Sequence, residues 1–190
     1  MEPVIRVDGA LKDLKASTVE LRVQAIEELA TYCSEIVEQV AQSLESQEDI
    51  RHLILERIGN FGSLMIGPLE RIYHETQDDR LRITSAVALL RLGSTTGVPS
   101  LMAAVEAGSS DVCLGAVALS DAGVSEAAES IERAVLAAEL EDAKTLECLV
   151  SSLWRLKSPL SDRVRHRLSG VEPKWFRESL LSETGRDVRS

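Results

Sequence analysis

The chain has 190 residues, 44% of them apolar and only 3% aromatic, with 21 Lys and Arg against 31 Asp and Glu for a net charge of −10. An apolar fraction this high excludes a disordered chain, and so acidic a body repels phosphate backbones and anionic lipid, which disfavours generic nucleic-acid and membrane-surface binding. The imbalance is uneven: residues 1–150 hold 12 basic and 26 acidic side chains, whereas residues 151–190 hold 9 basic and 5 acidic.

Taken in chain order, residues 3–16 read as an N-terminal cap helix with Val7, Leu11 and Leu14 as its apolar positions. Residues 18–170 then repeat. Aligned on one position, the equivalents are Leu29, Ile58, Leu89, Leu119 and Leu153, spaced by 29, 31, 30 and 34 residues. Three residues earlier stand Ile26, Leu55, Ala86, Ala116 and Val150, and three later Tyr32, Phe61, Leu92, Ala122 and Leu156. This spacing puts all three rows on one face of a helix. Gly62, Gly93 and Gly123 follow, where a left-handed backbone ends a helix. A second helix comes next in each unit, with apolar rows such as Val98, Leu101, Val105 and Ala128, Ile131, Val135, and with Pro68 and Pro99 in its first turn. The predicted hairpins run over about 18–46, 47–76, 77–108, 109–140 and 141–170, with Ser17 or Thr18 capping the first. Residues 173–181 read as one more short helix, and 182–190 as a frayed polar tail. No long linker interrupts the series, so 1–190 reads as a single domain.

Leu81-Arg82 through Gly93 with Val98-Pro99-Ser100-Leu101, and Ile50-Arg51 through Gly62 with Pro68-Leu69, carry a resemblance to the HEAT-like repeats, in the short form named after phycobilisome lyases. Cys33 in the first repeat, Val112 in the fourth, and Leu146 and Lys157 in the fifth depart from that pattern. The resemblance implies an all-α fold, a right-handed α-solenoid of about five HEAT-like hairpins with short terminal capping helices. In such a stack the second helices line the concave side.

On that face the sequence places Glu38, Glu45, Glu70, His74, Met102, Glu106, Glu129 and Glu132, an acidic wall that turns basic at Arg165. The expected role is non-enzymatic: a protein-interaction module that grips a basic protein, as an adaptor or a toxin-neutralising immunity protein does. The resemblance brings in one alternative, a bilin lyase-like subunit handling a tetrapyrrole near Glu70 or Glu106. A third reading, nucleic-acid binding, rests on the basic C-terminal region alone. Trp175 and Phe176 either close the end of the stack or anchor a partner. Arg22, Arg51 and Arg82, at equivalent helix starts, are expected to pair with nearby carboxylates or carbonyls rather than to form a ligand row.

His52, His74 and His166 lack ligand spacing, so neither a metal nor another cofactor is expected. Gly59-Asn60-Phe61-Gly62 lacks the strand and Lys of a phosphate loop and reads as helix termination. Cys33, Cys113 and Cys148 are few, far apart in sequence and odd in number, which suits a reducing cytoplasm. The opening residues do not read as a secretory leader, and no run of about 18 apolar residues marks a membrane span. A monomer or weak homodimer is expected.

Overall fold

The computed structural model of the chain describes residues 3–16 and 18–182. Ser17 and the expected tail from 183 onward lie outside the described residues. Those described form helices and turns, with no strand among them. None of their helices is long and apolar enough to cross a membrane. The chain divides into two compact units between Pro68 and Leu69.

In the first unit, α1 (Pro3–Asp13) packs on α2 (Val19–Ser46), with Ala10 and Ala25 buried. Thr18 occupies the N-cap of α2 without a side-chain cap bond. The repeat frame puts a turn at Cys33, but α2 runs unbroken through it for 28 residues. The physical reason is local. Cys33 replaces the terminating Gly, and the following Ser-Glu-Ile-Val-Glu-Gln contains neither Gly nor Pro to stop a helix. The first predicted hairpin is therefore one long helix. Its C-terminal half buries Val37, Ala41 and Leu44 and contacts α3 (Arg51–Arg57) and the 3₁₀ segment Ile58–Met65, which bury Leu55, Ile58 and Met65. Helix α4 (Ile66–Glu75) follows.

In the second unit, first helices α5 (Asp79–Arg91), α7 (Val112–Asp121) and α9 (Ala143–Arg155) pack side by side. Second helices α6 (Val98–Glu106) and α8 (Ala127–Ala137) pack on each other and on these first helices, and α10 (Asp162–Leu168) packs on α8. Helix α5 pairs with α6 and α7 with α8. A continuous aliphatic cluster runs from Ala86 to Leu180 and includes Leu101, Ala116, Leu119, Ile131, Val150, Leu153 and Val164. Leu89 is fully buried but lies outside that cluster. In the first unit Leu29 is only half-buried, and Ile26 is 57% exposed although its counterparts in the other repeats are buried. Helix α11 (Lys174–Leu181) lies on α9 and α10 and buries Phe176 and Leu180.

One turn geometry ends all three first helices of this unit. Ser94, Val124 and Ser158 each donate an N–H five residues back, to the carbonyls of Leu89, Leu119 and Leu153 at 2.9–3.0 Å. The residue before each donor has positive φ: Gly93 at 85°, Gly123 at 70° and Lys157 at 55°. A side chain costs about 1 kcal/mol in this conformation. Gly97 answers a different need, because a Cβ there would stand 2.6 Å from Ala86 Cα. The turn between α5 and α6 can thus press directly onto the α5 backbone.

Urea denaturation of two variants checks this account. Lys157→Gly is expected to gain about 0.5–1 kcal/mol by relieving the left-handed lysine. Gly97→Ala is expected to lose roughly 1–3 kcal/mol, since the clash is with backbone and only a helix shift relieves it.

Candidate interaction surface

Three second-helix acids of the second unit are each held by a group from further along the chain. Thr96 Oγ1, just before α6, donates to Glu70 Oε1 of α4 at 3.0 Å. Ser130 Oγ of α8 donates to Glu106 Oε1 of α6 at 2.8 Å. The backbone N–H of Ser161, the N-cap of α10, donates to Glu132 Oε1 of α8 at 3.2 Å. One side-chain row thus links each second helix to the next. Tyr73 and Ser100 add a parallel hydroxyl–hydroxyl contact of 2.7 Å between α4 and α6.

The row is less uniformly acidic than the sequence pattern suggests. Arg133 reaches across from α8 and donates to Glu106 at 2.8 Å and to Glu129 at 3.2 Å. These ion pairs are half or more exposed, so their stabilisation is at most about 1 kcal/mol. Their larger effect is orientation, since a carboxylate fixed by one donor still has lone pairs for another. The Glu129–Arg133 pair is visible in sequence as an i,i+4 spacing. The reach of Arg133 to Glu106 is a tertiary contact with no local signal.

Of the remaining expected positions, Met102 is half-buried and packs against the aliphatic core. His74 is exposed, its ring edge-on to Tyr73 with centroids 4.9 Å apart. Glu38 is half-buried and Glu45 exposed, both on α2 of the first unit. Arg165 is exposed and its Nε donates to the Leu160 carbonyl at 3.1 Å. The adjacent aromatics divide between the two roles considered for them. Phe176 is 7% exposed and caps the core, while Trp175 is 70% exposed.

The arginine ladder serves the backbone. Arg51 donates to the Leu44 and Glu45 carbonyls at 2.9 and 3.1 Å. Arg82 donates to the Thr76 carbonyl at 2.6 Å and pairs with Asp79. Both satisfy carbonyls left open where the preceding helix ends. Asp78 and Asp142 accept backbone N–H groups at the starts of α5 and α9, and the bonds from Thr145 hold the Asp142 carboxyl below its usual range. Gly62, with φ 55°, breaks the 3₁₀ segment before α4, so the Gly59–Gly62 stretch is helix termination. The described residues contain no cluster of three or more His, Cys, Asp or Glu arranged to hold a metal ion.

Two cysteines distant in sequence meet in the fold. Cys148 Sγ of α9 contacts the Cys113 carbonyl of α7 at 3.6 Å. Burial, then the neighbouring Cys113 thiol, pushes the Cys148 thiol up from 9.0 to about 12. Cys33 is exposed. No family model, curated protein or solved structure matches the chain.

A raised thiol pKa means that the fold favours the protonated form. Its contribution to stability is held below about pH 9 and lost as the pH climbs towards 12. With a disulfide reagent at about pH 8, Cys33 is expected to react first and Cys148 only after urea unfolding. Equal rates at the two thiols in the folded protein would contradict the burial described.

Proposed function

We propose that the chain is a non-enzymatic, HEAT-like interaction module. In this reading the unit beginning at Leu69 is a right-handed α-solenoid whose second-helix face takes a basic protein partner. The observation that carries the reading is the anchored carboxylate row Glu70, Glu106 and Glu132, with Glu129 beside it. Each acid is oriented before a partner arrives, so less side-chain entropy is lost on binding. Lysine or arginine side chains of a partner would approach these oxygens and compete with Arg133 for Glu106 and Glu129. The net charge of −10 adds attraction over longer range and speeds encounter. Partners of this chemistry suit an adaptor or an immunity protein. The free thiols fit work in the cytoplasm.

The test begins with a basic partner captured from the source cell and titrated against the pure chain. Affinity is expected to fall about tenfold or more between roughly 50 and 300 mM salt. The combined variant Glu70→Gln, Glu106→Gln, Glu129→Gln and Glu132→Gln retains hydrogen-bond acceptors and should fold. It is expected to bind at least about tenfold more weakly. Salt-independent binding, or full affinity in the folded variant, would sink the proposal.

A further inference from the structure

The unbroken α2 carries an apolar stripe that the hairpin frame conceals. Val19, Val23, Ile26, Ala30, Cys33, Val37, Val40 and Leu44 follow one another at alternating intervals of four and three residues. This is the heptad spacing of a coiled-coil seam. Its second half is covered within the first unit: Val37 is 5% exposed, Leu44 is fully buried and Val40 half-buried. Its first half is open, with Val19 at 61%, Val23 at 48% and Ile26 at 57% exposure, and with Ala30 and Cys33 exposed beside them. Helix α1 does not cover the opening. It packs on the face of α2 that holds buried Ala25, about a third of a turn around the helix from the stripe. The opposite flank is polar, with Glu20, Gln24, Glu27 and Thr31 exposed.

We propose that the open half of this stripe is the seam of a parallel, two-stranded coiled coil with a second copy of the chain. The charges flanking the stripe fit a second copy and set its direction. With Val23 and Ala30 at a positions and Val19, Ile26 and Cys33 at d, Arg22 falls at g and Glu20 and Glu27 at e. In a parallel pair, g of one helix meets the following e of the other, so Arg22 of each copy faces Glu27 of its mate. An antiparallel pair would set e against e and oppose glutamates. The seam continues packing that the second half of α2 already uses within its own unit. The parallel arrangement brings the two Cys33 residues together across the symmetry axis.

The full chain at about 50 μM in reducing buffer is expected to show twice its 20.7 kDa mass by light scattering. After reductant is removed, copper-catalysed air oxidation should join the copies. Two Cys33 thiols then lose two protons and two electrons to oxygen and form one disulfide. The covalent dimer should vanish in Cys33→Ser and persist in Cys113→Ser with Cys148→Ser. Val23→Glu with Ile26→Glu should give a monomer of unchanged helix content. Arg22→Glu should weaken dimerisation about tenfold or more, and adding Glu27→Arg should restore it. A monomeric mass in the unmodified chain, a dimer that survives the Val23 and Ile26 changes, or a dimer without a Cys33 cross-link would each overturn the proposal.

Discussion

The second unit depends on how closely its first helices can approach one another. Ala86, Ala116 and Val150 lie one helical turn before the large buried residues Leu89, Leu119 and Leu153, and all six are fully buried. Alanine at this row of α5 and α7 lets those helices approach, and Leu119 and Leu153 join the same core cluster as Ala86 and Ala116. Each fully buried Leu or Val contributes about 1.5–3 kcal/mol, whereas each surface ion pair contributes about 1 kcal/mol or less. Aliphatic burial therefore sets the register of the hairpins, and the polar contacts follow from it.

Two consequences arise from that spacing. The chain must reverse soon after each first helix, and it does so through one left-handed residue whose neighbour bonds back to the buried Leu carbonyl. Three acids of the second helices are then held from further along the chain, Glu70 by Thr96, Glu106 by Ser130 and Glu132 by Ser161. The same carboxylates that tie one repeat to the next form the face proposed to receive a basic partner. Substituting them with a group that cannot accept hydrogen bonds would mix a folding effect with a binding effect, so the glutamine replacements are the informative ones.

The legible parts of the fold were those encoded by short-range spacing. The three- and four-residue intervals around Leu119 and Leu153, the glycines after α5 and α7 and Pro99 opening α6 all act within a turn or two of chain. Helices form where those signals place them, and α5 pairs with α6 and α7 with α8. The continuity of α2 was hidden because an alignment to neighbouring repeats demanded a turn at Cys33, where the local residues contain no helix breaker. The same alignment masked the heptad interval that runs through Cys33. Ile26 occupies the right place in the pattern yet stays exposed, since periodicity marks a face and does not supply the element that covers it. The meeting of Cys113 with Cys148 and the reach of Arg133 to Glu106 depend on neighbouring repeats being in register, so no local window of sequence contains them.

Burial at Leu119 tests the foundation most directly. This side chain is fully buried in α7, the first helix that packs against both α5 and α9. Leu119→Ala, followed by urea denaturation and amide hydrogen exchange, is expected to lose about 2–5 kcal/mol. Protection should fall in α5 and α9 together with α7 as the shared core loosens. A loss below about 1 kcal/mol, with α9 amides as protected as before, would contradict the interlocked aliphatic row.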